Sequence, residues 1–250
     1  MSRSMIIFGG TKGIGKKLAS YYNKNKFKIS IASRHPEADG MRPKINFIKA
    51  DVSKEKDVEA VFDAHFKKWG KGPDIVINCA AIQGPIGNSW EVPVRKFEET
   101  LKINLLGSFI VARAAIKRMI PARLGSIILF SGGGAVYGRP HFNAYAASKA
   151  GVVRMVETIA EELIIAGYPG IIINAIAPGA VKTAMTEEIL KAGSRAGKKA
   201  QNEAAQVVKF GGTPDKDIIN LVNFLIDHKK NLTGKLIHVR EDYRGLVTKK

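Results

Sequence analysis

A glycine-rich turn stands between an apolar run and a helix-compatible segment near the start of the chain. The apolar run is residues 5–8, the turn is residues 9–15 (Gly-Gly-Thr-Lys-Gly-Ile-Gly), and the following segment is residues 16–22. A short, partly β-branched run of this kind predicts a buried strand. Glycine permits positive φ and close backbone approach, and free amides at a helix start attract a pyrophosphate. The order therefore predicts the first unit of a nucleotide-binding α/β fold, with a plain structural turn as the alternative.

Further strand candidates alternate with helical stretches along the whole chain. They lie at residues 28–32, 45–48, 74–77, 125–130, 170–176 and 235–239. Such alternation predicts parallel strands joined by right-handed crossovers. The fold class is thus expected to be α/β: a single Rossmann-type domain over residues 1–250, with a doubly wound parallel sheet of about seven strands. Its ligand should lie at the carboxyl ends of the strands.

Tyr145 and Lys149 are four residues apart in a segment with helical character. On a helix this spacing places both side chains on one face. A neighbouring ammonium favours phenolate, so Lys149 is expected to lower the pKa of Tyr145 and to suit it for proton transfer to a carbonyl oxygen. Alone, the pair also fits a solvated helix face.

Together, the glycine turn and the Tyr-x-x-x-Lys pair make the chain resemble the short-chain dehydrogenase/reductase family. The resemblance extends nearly from end to end, because motifs around Asp51, Asn78, Asn104 and Pro178 follow in the family's order. It implies a nicotinamide-dependent oxidoreductase acting on a carbonyl group or a secondary alcohol. It also implies catalytic roles for Tyr145, Lys149 and Asn104. The cofactor-binding residues that it implies are Gly9, Thr11, Lys12, Gly13, Ile14, Gly15, Ser33, Arg34, Asp51, Val52, Asn78, Ala80, Lys149, Pro178, Gly179, Val181 and Thr183.

The chain departs from the family at the catalytic serine. Most members carry this serine thirteen residues before the tyrosine, a position that is Gly132 here, with Ser131 beside it. In one account, the glycine-rich loop bulges so that Ser131 fixes the substrate oxygen. In the other, Gly132 occupies the site and the serine function is missing. The sequence favours the first account, so Ser131 joins the predicted catalytic residues.

Three residues, two at the end of the second strand candidate and one in the glycine turn, predict a preference for NADP(H) over NAD(H). NAD-specific sites of this type usually have an acidic residue at the end of the second strand. Here Ser33 and Arg34 stand there, and a guanidinium can pair with a 2′-phosphate. Lys12 adds a second cation, as in NADP-preferring members of the family. A merely surface-exposed Arg34 is the alternative.

The net charge is +18, from 40 Lys and Arg against 22 Asp and Glu. Such a charge raises the hypothesis of nucleic-acid or anionic-membrane binding. The basic residues are dispersed, however, so specific nucleic-acid binding is not expected.

No apolar run reaches transmembrane length and no signal peptide precedes the glycine turn, so a cytoplasmic protein is expected. The five histidines and one cysteine show no metal-ligand spacing, and no metal site is expected.

The substrate is only weakly encoded. By resemblance, residues 185–212 cover it, and this segment contains Lys191, Arg195, Lys198 and Lys199. A cationic segment over the site favours an anionic or sugar-like substrate, and a solvated helical face is the alternative.

Helices expected at residues 97–119 and 143–166 match those through which the family forms homodimers and homotetramers. The Gly132 departure leaves a second function open, a catalytically silent NADP(H)-binding redox sensor, although the intact Tyr145, Lys149 and Asn104 argue against it.

Overall fold

Parallel strands connected by helices build the described part of the molecule. The computed structural model describes residues 2–35, 45–227 and 232–242, so the remaining parts of the predicted domain lie outside the described residues. Within these ranges seven strands form one sheet: β1 Ser4–Phe8, β2 Lys28–Ser33, β3 Ile45–Lys49, β4 Ile75–Asn78, β5 Gly125–Phe130, β6 Ile171–Ala177 and β7 Leu236–His238.

The helices connect these strands in the expected alternation. The α-helices are α1 Gly13–Lys24, α2 Glu55–Trp69, α3 Val94–Leu101, α4 Gly107–Met119, α5 Asn143–Ile165, α6 Ala184–Lys191, α7 Gly197–Phe210 and α8 Asp215–Asp227. A π-helical turn, Lys102–Leu106, joins α3 to α4, and short 3₁₀ turns lie at Ile120–Ala122 and Gly193–Ala196.

The strand order is β3-β2-β1-β4-β5-β6-β7, and all six pairings are parallel. The order reverses direction between β1 and β4, which creates the crevice where doubly wound sheets bind ligands. The described residues therefore form the predicted α/β domain with a doubly wound parallel sheet.

Apolar side chains cover both faces of the sheet. On one face α2, α4 and α5 contribute residues such as Val58, Val111 and Val152 to a core with Ile6 and Ile127. On the other face α1 and α8 pack through Leu18, Leu221 and similar residues. Because both faces are covered, the strands are apolar almost throughout, as is usual for parallel sheets. In sheets of this kind ligands bind at the carboxyl ends of the strands.

One predicted element differs from the structure. The sequence predicts a single helix over residues 97–119, whereas the structure has α3, the π-helical turn and α4 in succession. A π turn accommodates one additional residue within a helix, and such turns are frequent at functional sites. Apolar periodicity does not reveal it, since the helix continues on both sides.

Candidate active site

The glycine turn lies at the crevice between β1 and β4. Gly9 has a φ of 72°, and a Cβ atom built on it would lie 2.7 Å from the backbone nitrogen of Ala80. A Cβ on Gly15 would lie 2.3 Å from the carbonyl oxygen of Gly9. Only glycine fits these contacts, so the turn is a tightly packed backbone unit that joins the ends of the two strands.

The start of α1 offers an anion-binding position. Its first turn contains no acidic residue, and no side chain caps its amides at Lys12. Uncapped amides and the helix dipole favour a negative group at this place. The backbone therefore fits the pyrophosphate of a dinucleotide, which Gly13, Ile14 and Gly15 would hold.

The predicted adenosine-side residues lie at the ends of β2 and β3. The Thr11 hydroxyl donates to Ser33 Oγ (3.1 Å), and the Ser33 hydroxyl donates to the carbonyl oxygen of His35 (2.7 Å). Arg34 and Lys12 are exposed, which leaves both cations accessible. Burial acts to raise the pKa of Asp51, but hydrogen bonds from Ser53 and the charge of Arg34 hold it below its ordinary value. Val52, next to Asp51, is buried.

Asn78 anchors the end of β4. Its side-chain oxygen accepts a hydrogen bond from the Ala80 amide (3.0 Å), and its amide group donates to Ser108 Oγ on α4 (3.1 Å). Ala80 is the residue whose nitrogen lies close to Gly9. These contacts place the β4 motif directly beside the glycine turn.

The turn after β6 also lies close to the glycine turn. Gly179 follows the buried Pro178 with a φ of 74°, and the next residues are held by a hydrogen bond from the Thr213 amide to the Ala180 carbonyl oxygen (2.8 Å). Beyond the buried Val181, the Cγ2 atom of Thr183 lies 3.5 Å from a Cβ built on Gly13. The predicted cofactor residues of β1, β4 and β6 therefore share one edge of the sheet.

Tyr145 and Lys149 lie on one buried face of α5. They are only 8% and 2% exposed, and Lys149 Nζ lies 5.5 Å from the centre of the Tyr145 ring. Lys149 Nζ donates a hydrogen bond to the carbonyl oxygen of Phe130, at the end of β5 (2.7 Å). Burial lowers the pKa of Lys149 to about 8. The ammonium form therefore still predominates at neutral pH, held by a strand-end carbonyl.

The pKa of Tyr145 is shifted in the direction opposite to the one expected from the sequence. The sequence predicts that Lys149 lowers it, but burial raises it above the ordinary value, and the opposing positive charge is that of Arg139. A buried phenol loses the hydration that would stabilise its anion. The hydroxyl is therefore protonated at neutral pH and can donate a proton to an adjacent oxygen.

Asn104 lies in the π-helical turn and is fully buried. Its side chain bonds both polar groups of the Ile82 backbone: its oxygen accepts from the amide (2.9 Å), and its amide donates to the carbonyl oxygen (2.9 Å). It also donates to Ser148 Oγ, next to Lys149 (3.1 Å). Asn104 thus connects the segment after β4 to α5, the helix that carries Tyr145 and Lys149.

The two accounts of the missing serine are distinguished by local geometry. The Ser131 hydroxyl is buried and donates to the backbone oxygen of Lys149 (3.1 Å). By contrast, a Cβ on Gly132 would lie 2.6 Å from the Tyr145 hydroxyl oxygen. Gly132, and not the Ser131 side chain, therefore faces the phenol. This geometry disagrees with the predicted role of Ser131 and favours the account in which the serine function is missing.

Arg139 is a residue of this site that the sequence analysis missed. Its guanidinium carbon lies 4.3 Å from the centre of the Phe142 ring and 5.6 Å from that of Tyr145. The available signal was a cation only six residues before the tyrosine, in the loop that also carries the departure at Gly132.

The segment 185–212 packs against Tyr145. Ile189 of α6 and Ala196 form an apolar cluster with Phe142 and Tyr145. A cavity of about 480 Å³ lies nearby, lined by residues between Ile82 and Thr100 and by Arg195. The four cations of this segment, Lys191, Arg195, Lys198 and Lys199, are all exposed. Of these four, Arg195 lines the cavity.

Comparison with known proteins agrees with this geometry. The family model described as short chain dehydrogenase matches residues 3–193. The chain belongs to this family. As a short-chain dehydrogenase, it is an oxidoreductase that acts on alcohol or carbonyl groups with a nicotinamide cofactor.

Individual relatives of this short-chain dehydrogenase have diverse substrates. It is 30% identical to the 3-oxoacyl acyl-carrier-protein reductase of Thermotoga maritima, over 94% of both chains. It is 32% identical to 3beta-hydroxysteroid dehydrogenase 1 of Eggerthella lenta, over 74% of this chain and 73% of the relative. The crystal structure of an actinorhodin polyketide ketoreductase variant with NADPH is 25% identical, covers 95% of both chains and superposes with a TM-score of 0.84. Levodione reductase is 26% identical, with a TM-score of 0.82 and coverage of 94% and 95%.

Proposed function

We propose that this short-chain dehydrogenase is an NADP(H)-dependent reductase of a ketone or aldehyde, or a dehydrogenase of the corresponding secondary alcohol. The observation that carries the proposal is the buried Tyr145–Lys149 pair, whose ring centre and ammonium lie 5.5 Å apart at the edge of the sheet that holds the glycine turn. A neutral phenol and a fixed cation at that edge suit proton transfer to a carbonyl oxygen.

When bound, the nicotinamide supplies a hydride to the carbonyl carbon, or accepts one in the reverse direction. Tyr145 donates its proton to the substrate oxygen in the reduction and takes it back in the oxidation. Lys149, held by Phe130, keeps a positive charge close to the phenol and would hold the nicotinamide ribose when the cofactor binds. Asn104, held between Ile82 and Ser148, would orient a water molecule that links this pair to solvent.

The preference for NADP(H) rests on three residues at the adenosine end. Ser33 carries no charge to repel a 2′-phosphate, and the exposed Arg34 and Lys12 provide cations for it. The positive charge of Arg34 is close enough to contribute to the lowered pKa of Asp51, which follows β3. A guanidinium binds phosphate bidentately, which explains why one residue can set the preference.

The proposal includes an anionic or sugar-like substrate, such as a phosphorylated sugar. Arg195 lines the cavity, and Ile86 of the same lining packs against the apolar cluster that contains Tyr145. The net charge of +18 adds a positive field that attracts anions. Arg195 and the segment around it would cover the substrate, because Ile189 and Ala196 already pack on Tyr145.

A catalytically silent redox-sensing role receives no support. The relatives are named for dehydrogenase and reductase activities. Tyr145, Lys149 and Asn104 lie together at the site, and a pure sensor does not need a proton relay.

We also propose that a second copy of this chain covers α4 and the π-helical turn, giving a cytoplasmic homodimer or homotetramer. Leu106 and Phe109 are 46% and 44% exposed, and they line an apolar groove with Leu105 and Met155. A homo-oligomer interface would cover such a patch. None of the helices in the described part of the chain is long and apolar enough to span a bilayer.

The direct test is NADPH consumption by the purified protein across a panel of ketones, aldehydes and oxidised sugars. We expect oxidation of NADPH with at least one compound, and reverse reduction of NADP⁺ with the matching alcohol. Tight NADPH binding without turnover of any compound would argue for the silent alternative. Light scattering of the same sample measures the oligomeric state.

A further inference from the structure

Arg139 presents an unpaired guanidinium beside the catalytic phenol. Within residues 2–35, 45–227 and 232–242, no carboxylate forms an ion pair with it. Its side chain is half-buried, and it stacks on Phe142, which is fully buried. Stacking fixes the plane of the guanidinium while leaving its N–H donors available. A half-buried cation without a counter-charge is well placed to bind an anion.

The loop before Arg139 brings the guanidinium close to the phenol. A Cβ built on Gly133 would lie 3.4 Å from an Arg139 guanidinium nitrogen and 3.1 Å from the Tyr137 hydroxyl oxygen. Gly133 therefore lies against both donors, and its neighbour Gly132 lies against the Tyr145 hydroxyl. The guanidinium carbon of Arg139 lies 5.6 Å from the centre of the Tyr145 ring. A substrate whose carbonyl oxygen contacts Tyr145 would therefore have the Arg139 and Tyr137 donors within a few bonds of that oxygen.

We infer that Arg139, with Tyr137 as a second donor, binds an anionic group of the substrate a few bonds from the reacting carbonyl. This inference rests on the proposed function, because it assumes that the carbonyl oxygen contacts Tyr145. The anionic group is a carboxylate or a phosphate, both of which a planar guanidinium binds through paired hydrogen bonds. Arg139 thereby selects oxo acids or oxo phosphates over neutral ketones.

The test uses two matched pairs of compounds that differ in the anionic group. Acetoacetate is compared with its ethyl ester, and dihydroxyacetone phosphate with dihydroxyacetone. Each is titrated into the complex of the protein with NADP⁺ by calorimetry, and each is assayed for NADPH consumption. We expect at least one anion to bind about 10-fold or more tightly than its neutral partner, the range for a charged hydrogen-bonded pair. Which pair shows the difference identifies carboxylate or phosphate as the anionic group.

Variants assign the difference to Arg139. Arg139→Gln should abolish the preference for the anion, while Arg139→Lys should keep part of it because the charge remains. Lys67→Gln, on α2, removes one exposed positive charge away from the site and should leave the preference unchanged. A melting temperature close to that of the wild type shows that Arg139→Gln is folded. If Arg139→Gln does not fold, the preference for the anion is compared between the wild type, Tyr137→Phe and Arg139→Lys instead.

The outcomes separate this inference from the proposed function. If the wild type binds neither anion preferentially, or if Arg139→Gln keeps the preference, the inference is overturned. If none of the panel compounds is turned over but the anion binds through Arg139, the proposed activity fails and the binding role stands. If the protein does not bind NADP⁺, the titrations are repeated on the free protein, where the same two results decide the role of Arg139.

Discussion

Gly132 lies against the hydroxyl of Tyr145, so that a Cβ atom at this position would be 2.6 Å from the phenolic oxygen and 3.3 Å from two ring carbons. The contact shows that the phenol occupies the space that a side chain at position 132 would need. A side chain at position 132 would therefore require the Tyr145 hydroxyl to move from its present position.

The first prediction concerns Gly132→Ser, which would restore the residue usual in the family. We expect kcat/KM to fall by about 10- to 100-fold, since small displacements of a reacting group have effects of this size. The new Cβ must push the Tyr145 hydroxyl away from its present position. The measurement is NADPH consumption with the best substrate of the panel, together with the melting temperature. Increased activity would show that the phenol tolerates the side chain.

Ser131→Ala is the matched control for this loop. Its hydroxyl donates to the backbone oxygen of Lys149, so its loss should cost about 1 kcal/mol of stability. Activity should change by less than about 5-fold, whereas removal of a group that stabilises the developing oxyanion lowers kcat by about 100-fold or more. A fall of that larger size would restore Ser131 to the catalytic residues.

The second prediction concerns the proton donor. Tyr145→Phe should lower kcat by about 100-fold or more, because the substrate oxygen loses its acid and base. The affinity for NADPH, measured by calorimetry, should stay close to the wild-type value, since the phenol hydroxyl is not assigned to the cofactor. Substantial retained turnover would exclude Tyr145 as the donor.

The third prediction concerns cofactor choice. Arg34→Ala should lower kcat/KM for NADPH by about 10- to 100-fold, since a hydrogen bond to a charged group contributes about 1.5–3 kcal/mol. The value for NADH should change little, because it has no 2′-phosphate. Steady-state kinetics with both cofactors provide the measurement. A wild type that prefers NADH, with no effect of Arg34→Ala, would reverse the assignment.

The fourth prediction concerns stability below neutral pH. His65 is fully buried, and its Nδ1 lies 2.8 Å from Ser30 Oγ. Burial lowers the pKa of His65 from 6.5 to about 4. The charge of Asp74 acts to raise this pKa, and the charges of Lys71 and Lys28 lower it further, but all three effects are smaller than that of burial. Between these two pH values the unfolded chain binds a proton that the folded chain does not. The free energy of unfolding should therefore decrease as the pH falls from about 6.5 to about 4, by up to about 3 kcal/mol.

The measurement is urea unfolding of the wild type and of His65→Gln at several pH values. Only the slope with pH is compared, because the substitution also changes packing. His65→Gln should lose much of the decrease between pH 6.5 and 5, a range where most carboxylates remain ionised. Parallel slopes would mean that another group is responsible.

The sequence predicted the fold well because its signals are local. A short, partly β-branched run such as residues 125–130 predicts a buried strand, and β5 has these bounds in the structure. The Tyr145–Lys149 pair needed only helical spacing to be placed on one face. These features depend on neighbours in the chain, which a sequence displays directly.

Other features depend on contacts that the sequence does not display. The pKa of Tyr145 is raised because the residue is buried under Ile189 and Ala196, which lie more than forty residues further along the chain. Gly132 faces the phenol and the Ser131 side chain faces Lys149, because the conformation of one loop decides the orientation of both residues. Arg139 was missed because its unpaired state is a property of the folded surroundings.

The π-helical turn at Lys102–Leu106 contains one residue more than an α-helical turn would need. In a regular α-helix, one additional residue would rotate everything after it by about 100° around the axis. Because the wider turn accommodates that residue, Ser108 still meets Asn78, and the apolar face of α4 still packs on the sheet. A chain that is one residue shorter at this point could therefore continue as an unbroken α-helix without displacing α4.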